Sequence, residues 1–365
     1  MGSDNKSLGR REFLGSGIAT TVAAASGTAI AGTAIAGTAI AGTAIATEKA
    51  AKTVKDLPYN PRTHLAMPTR NLGRTGYQVG ILSLGGQAVI ERQGTERESA
   101  AIVNRAIDLG VNYIDTAAAY GQGVSETHLG MVMKDRRSEV WLASKTHDRS
   151  YDGSMRWLET SLKQLQTDHL DTWQLHNIKR QDEVDQIFAK DGALKALIQA
   201  REEGLVRCLG VTGHYEPIIL KHCLERFDFD TLLMAVNAVD PHYLSFKNHL
   251  LPVALEKGVG IIGMKLATRG RMLSCWTPPP IDQQPGSMAT TLPGTISIKE
   301  TLEYNFSLPV STNIIGVDNV QQIEENVKIA SGFSTLNNEQ MAAIEYKTLP
   351  IVRQGLYFRR WDIGV

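Results

Sequence analysis

With 365 residues, 42% hydrophobic and 21% charged, the chain is long enough to bury one large core and ordinary in its balance. Lys plus Arg equal Asp plus Glu at 38 each, so no whole-protein field draws nucleic acid or an anionic surface, and a nucleic-acid role is not expected. The three cysteines, Cys208, Cys223 and Cys275, lack CxxC spacing and partner histidines, so no disulfide framework and no metal site are expected; Cys208 and Cys223 read as small core residues.

Residues 1–46 read as a targeting segment rather than part of the fold. Arg10 and Arg11 precede Glu12, Phe13 and Leu14, and no further charged residue occurs until Glu48. The pattern resembles a twin-arginine export signal, although Gly15 stands where a lysine is usual. The pentapeptide GTAIA repeats four times in tandem between Gly27 and Ala46. Its small side chains and recurring glycine suit a translocation signal better than a permanent membrane span, although the uncharged run is long enough for one. The expectation is an exported protein, periplasmic or membrane-associated, handed to the twin-arginine machinery; the alternative is a tethered protein facing the cytoplasm. Residues 47–66, charged and then rich in Pro and Asn, read as a linker.

The fold is expected over residues 67–349. RNLGRTGYQVG reads as a short hairpin around Gly73 to Gly76. Eight strand-like runs then alternate with helix-like ones: ILSLGG, YIDTA, VWLASK, LDTWQLH, VRCLGVTG, TLLMAVN, GIIGMK and NIIGV. Several helices end at a glycine, Gly110, Gly204 and Gly258, where a left-handed cap is expected. Eight such units predict an α/β fold, a (β/α)₈ TIM barrel with an N-terminal hairpin and a C-terminal helix. An open doubly wound sheet would carry GxGxxG after its first strand, and SLGGQAV stands there instead. The long stretch from Ala267 to Thr295 is either a lid over the barrel mouth or irregular surface. After a last helix-like run, NNEQMAAIEYKTL, residues 350–365 form a tail that crosses the barrel or its mouth.

A parallel repeat puts all strand C-termini on one face. Asp115, Lys145 and His176 end three successive strand-like runs, 30 and 31 residues apart, and therefore stand side by side with Tyr120 in the loop after the first. Asp115 alone could be an ordinary turn former. Together, a lysine held by an aspartate can tune a phenol, its ammonium favouring the phenolate and making the phenol a better acid, while a histidine orients a carbonyl oxygen. No side chain in this group supplies two electrons, so a hydride donor is required, and a nicotinamide is the obvious one.

These residues, with GVNYIDTAAAYGQGVSETHLG, LASK, LDTWQLHNI, VRCLGVTG and IIGVDNVQQIEENV, resemble the aldo/keto reductase superfamily over nearly all of residues 69 to 330. The resemblance implies NAD(P)H-dependent reduction of a small-molecule carbonyl substrate, with Tyr120 as general acid, Lys145 and Asp115 tuning it and His176 positioning the substrate. No His, Asp or Glu cluster has metal-ligand spacing, so no metal is expected. On the cofactor side, Thr212 and Gly213 match the usual Ser-Asn pair for the carboxamide. Ala238 matches the usual glutamine, leaving Asn237 as a substitute. Glu325 and Asn326 match adenine contacts, with exposed helix residues as the alternative. Gly86, Lys265, Gly316, Asp318 and Gln322 complete the cofactor set, Lys265 standing between a phosphate contact and a solvated charge. No residue among Gly316, Val317 and Gln322 is cationic, which predicts weak or reversed preference for NADP(H). The rival hypothesis is a non-catalytic cofactor-sensing subunit on the same barrel. Substrate and oligomeric state are not set by the sequence.

Overall fold

The computed structural model describes residues 56–284 and 289–362. Strands β1 (Thr69–Asn71) and β2 (Gln78–Gly80) form the antiparallel hairpin. Eight parallel strands follow: β3 (Leu82–Gly85), β4 (Tyr113–Asp115), β5 (Trp141–Thr146), β6 (Leu170–Leu175), β7 (Val206–Gly213), β8 (Thr231–Ala235), β9 (Gly260–Met264) and β10 (Thr312–Ile315). Each pairs with its sequence neighbours, and β10 pairs with β3, closing the sheet into the TIM barrel that the repeat predicts.

Every residue of β5 and β6 is buried. Parallel strands lie between a packed interior and an outer ring of helices, which is why they read as continuous apolar runs. The helices read differently because only one face of each is covered. Glu96–Asp108 buries Ser99, Ile102, Val103, Ala106 and Ile107, the three-and-four spacing of an amphipathic helix. That helix stops at Gly110, whose φ of 92° favours glycine. A Cβ there would also meet the Arg62 carbonyl at 3.0 Å, since the segment leading into the hairpin crosses at this point.

The hairpin closes the barrel at the strand N-termini. Leu72, Tyr77 and Val79 are buried, and Tyr77 donates to the carbonyl of Asn112 just before β4. The described part of the 47–66 stretch is not a free connection. Asn60 is buried and donates to the carbonyls of Ile107 and Val111, and a short helix, Thr63–Ala66, follows. The signal segment 1–46 lies outside the described residues. Among the described residues, no helix is long and apolar enough to cross a membrane.

At the opposite end the C-terminal helix, Asn338–Thr348, starts at an Asn337 capping box and leads to residues 350–362. This tail is pinned by Arg359, which is fully buried, pairs with Asp240 and donates to the carbonyls of His214 and Ala235. The segment after β9 is bonded rather than loose in its described parts. Ser274 donates its N–H to Ile296, Thr295 its N–H to Met272, and Gln354 of the tail bonds both Arg271 and Thr290.

Candidate active site

Register brings the predicted residues together. Asp115 on β4 lies opposite Ala143 on β5, and Lys145 lies opposite Gln174 on β6. The Lys145 ammonium has three protons and three acceptors: Asp115 Oδ1, the Thr116 carbonyl at 2.6 Å and the Tyr120 hydroxyl oxygen at 3.4 Å. The second oxygen of Asp115 accepts from Gln174 Nε2 at 2.9 Å. His176, one residue past β6, meets the Tyr120 ring edge-on with centroids 5.7 Å apart. The four predicted residues therefore form one constellation. Tyr120 and His176 face a cavity of about 420 Å³ at the barrel mouth.

Electrostatics sets the protonation of this group. Burial works against the Lys145 charge, but Asp115 and Tyr120 outweigh it and hold its pKa above the ordinary lysine value. Burial pushes the Asp115 carboxyl up, and the charge and hydrogen bond of Lys145 oppose it; direct contact between the two groups favours the ammonium–carboxylate form of the pair. Burial pushes the Tyr120 phenol up, and the Lys145 charge only partly offsets it. Here the structure corrects the expectation of a net depression: the lysine does favour the phenolate, yet the low-dielectric surroundings favour the neutral phenol more. A phenol that keeps its proton at rest is a loaded donor. Because its oxygen accepts from Lys145, its own O–H is left for an acceptor in the cavity. Burial, then the charge of Lys145, holds His176 well below the ordinary histidine value, so its imidazole is neutral.

The proposed cofactor residues divide. Thr212, next after the Val211 that pairs with Leu175, and Lys265 line the cavity. Lys265 takes a left-handed backbone, φ 62°, and bonds Gln87 at 3.3 Å; burial, then the charges of Arg269 and Lys145, bring its pKa to about 8. Asn237 departs from its expected role. Fully buried, it donates to the Lys265 carbonyl and accepts from the N–H groups of Val239 and Asp240, so its amide braces loops rather than facing the cavity. Gly86 is a close-packing point, where a Cβ would meet Ser125 Oγ at 2.6 Å and the Asp115 carbonyl at 3.0 Å.

Gly316, Asp318, Gln322, Glu325 and Asn326 follow β10 on the next turn and helix, Val320–Ser331. Gln322 accepts from the Asp318 N–H, Asn319 caps the helix, Glu325 is exposed and Asn326 is buried. The side chain beside Asp318 is one that sequence spacing missed: Arg92, from the loop after β3, at 2.9 Å.

Other residues of the site were also missed. Gln174 had a signal, since alternation along β6 puts it on the face of His176. Of the cavity residues, Asn177 follows His176 in the loop after β6 and His214 follows β7 directly, while Tyr357 and Phe358 come from the tail and carry no local signal. The long loop supplies Arg269 and Arg271. A nicotinamide dinucleotide fits this donor set: Lys265, Arg269 and Arg271 are cations lining the cavity, and in the same loop Thr268 Oγ1 is buried without a hydrogen-bond partner among the described residues. Among the described residues, no group of three or more His, Cys, Asp or Glu is placed to hold a metal ion.

A parallel barrel with an acid, a lysine, a tyrosine and a histidine gathered at its strand C-termini, beside a cationic rim, defines a barrel oxidoreductase site. The Aldo/keto reductase family model matches residues 78–348, and the chain belongs to that family. It is an NAD(P)-dependent oxidoreductase. It is similar to an uncharacterized oxidoreductase of Bacillus subtilis, 25% identical over 77% of this chain and 97% of the relative. It is also similar to the L-galactose dehydrogenase of Arabidopsis thaliana, 28% identical over 77% of this chain and 93% of that protein. Among solved structures, the holo form of an aldo-keto reductase from Bacillus halodurans superposes with a TM-score of 0.62 at 25% identity, covering 77% of this chain and 96% of that one.

Proposed function

We propose that the protein reduces an aldehyde or ketone to an alcohol, with Tyr120 as the general acid. The observation that carries this is the triple bonding of the Lys145 ammonium to Asp115, the Thr116 carbonyl and the Tyr120 oxygen at the cavity floor. A bound reduced nicotinamide supplies the hydride. Tyr120 gives its proton to the carbonyl oxygen, and the ammonium of Lys145 stabilises the phenolate left behind. Asp115, anchored by Gln174, keeps Lys145 charged and aimed. Neutral His176 donates a hydrogen bond to the same carbonyl oxygen and fixes its direction. One relative is named for a sugar, and a cavity lined largely by polar groups accords with a polar carbonyl compound. In Tyr120→Phe, carbonyl-dependent nucleotide oxidation is expected to fall ~10²–10⁴-fold while nucleotide titration stays normal. Near wild-type turnover would remove Tyr120 from the mechanism.

The sequence of residues 1–46 supports export of the folded protein by the twin-arginine route, which allows a nucleotide to be loaded before translocation. With Arg10 and Arg11 both replaced by lysine, the protein is expected to stay in the cytoplasm on fractionation. Unchanged export would refute this assignment.

A further inference from the structure

The mechanism leaves two groups of the cavity without a task. Asn177 and His214 stand at adjacent strand ends, since Leu175 pairs with Val211 and the Ile178 N–H donates to the Thr212 carbonyl at 2.9 Å. Both line the cavity that Tyr120 and His176 face. Asn177 Oδ1 and His214 Nδ1 are buried, and among the described residues neither atom has a partner of good hydrogen-bond geometry, although the His214 ring also interacts with the backbone of Phe358. A buried polar atom without a partner calls for one, and in a cavity that partner is water or a ligand that displaces it.

Both groups are held in place. Asn177 takes a left-handed backbone, φ 52°, a conformation that Asn tolerates and most residues avoid. Its carbonyl accepts from Arg149 at 3.4 Å. The His214 carbonyl accepts from the buried Arg359 at 2.8 Å, and its ring packs edge-on against Phe358 with centroids 5.3 Å apart. The backbone at both positions and the His214 ring are therefore fixed, which lowers the ordering cost of using them.

We propose that Asn177 and His214 are a hydroxyl-reading pair that selects carbonyl compounds bearing hydroxyl groups on the carbons next to the carbonyl, the polyhydroxylated aldehydes and ketones. The proposal rests on the carbonyl-reduction reading above. An amide oxygen is an acceptor and a neutral imidazole offers one acceptor nitrogen, so both can take O–H donors. Tyr120 and His176 claim the carbonyl oxygen, so the hydroxyls read by this pair belong to the rest of the substrate. A hydrocarbon chain of the same length would bury both acceptors unpaired, and discrimination built this way is steep.

The test compares glyceraldehyde with propanal, and erythrose with butanal, as kcat/KM ratios in the wild type, Asn177→Gly and His214→Phe. Glycine keeps the left-handed backbone and removes the amide, and phenylalanine keeps the ring packing. Each variant is expected to lower the hydroxylated-to-plain ratio ~10–100-fold, chiefly through KM, while Asn177→Ser and His214→Gln, which retain an acceptor, keep more of it. A ratio unchanged in both variants overturns the proposal. So does a raised dissociation constant for the dinucleotide with the ratio intact, which would assign the pair to the nicotinamide carboxamide. If the wild type turns over neither class, the reduction reading fails separately, and the pair is judged by saturation-transfer NMR with glycerol against 1-propanol. Preference for glycerol that Asn177→Gly abolishes sustains the pair, and no preference overturns it.

Discussion

The two sides of the barrel mouth are built differently. On the β4–β6 side, the reacting groups stand on or next to strand ends, and the Asp115 and Lys145 side chains are 0% and 1% exposed. On the β9–β10–β3 side, the charged groups stand on loops: Arg92 and Asp318 are 60% and 51% exposed, and Arg269 reaches Glu91 at 3.6 Å from a side chain 62% exposed. Left-handed residues Ala88, Lys265, Thr268 and Arg269 cluster on this second side. Proton chemistry needs a fixed geometry and a low dielectric, which strand ends and burial provide. Nucleotide recognition tolerates solvent and movement, and a rim of exposed pairs, each contributing ~0–1 kcal/mol, leaves the groove easy to rearrange.

The largest break in that contrast is Lys145→Met. It leaves the Asp115 carboxylate buried and unpaired, which costs ~3–5 kcal/mol, whereas removing one exposed rim charge costs about a tenth to a third of that. Chemical denaturation of Lys145→Met is expected to show this loss, and Asp115→Leu added to it is expected to restore most of it. If the single variant is as stable as the wild type, the pair is not the buried ion pair described here.

Much of the β4–β6 side was legible in the sequence, because fully covered strands read as apolar runs and a polar residue ending such a run marks the mouth. The spacing from Asp115 to Lys145 to His176 then set them on neighbouring strands. The rim was less legible for physical reasons. Arg92 and Asp318 are brought together by closure of the barrel between β10 and β3, a contact with no local sequence signal. Asn237 has the right chemistry for a carboxamide contact, but its amide is turned inward to hold the backbone at Lys265, Val239 and Asp240. Composition suggested a linker before the hairpin, but the buried Asn60 amide, with the Tyr59 N–H bonded to the Ser138 carbonyl, fastens its end to the barrel.

Titration sharpens the contrast. The Lys145 pKa lies above its ordinary value, so the stability it contributes is fully present below the unfolded lysine value and is lost only as pH rises through the higher folded one. Lys265 is the reverse case. Its pKa is lowered to about 8, so between there and the unfolded value the unfolded chain binds more protons, and stability rises with pH. For an anionic nucleotide the consequence has the other sign, because binding favours the protonated lysine. The dissociation constant of the reduced nucleotide is expected to rise up to ~10-fold as pH passes about 8, and Lys265→Met is expected to flatten that profile. A wild-type profile flat from pH 7 to 10 would remove Lys265 from the phosphate side.

The smallest effect concerns the choice between the two nucleotides. Sequence spacing places no cation at Gly316, Val317 or Gln322 and an acid at Asp318, which would disfavour a 2′-phosphate. The structure adds Arg92 to that place, at 2.9 Å from Asp318. The acid is therefore neutralised, and its N–H is bonded to Gln322, so the turn presents a paired charge rather than a bare carboxylate. NADH can use Asp318 as the acceptor for its 2′-hydroxyl, and NADPH can draw Arg92 away from Asp318 to its phosphate. An exposed pair of this kind is worth ~0.2–1 kcal/mol, so preference either way is expected to stay within about fivefold. Asp318→Ser frees Arg92 and should move the ratio of dissociation constants towards NADPH by ~2–5-fold, Arg92→Ala should move it towards NADH by a similar factor, and Gln322→Arg added to Asp318→Ser should extend the first shift. Binding of NADPH 100-fold tighter than NADH in the wild type, unmoved by either single change, would instead place Arg269 or Arg271 of the loop after β9 on the 2′-phosphate.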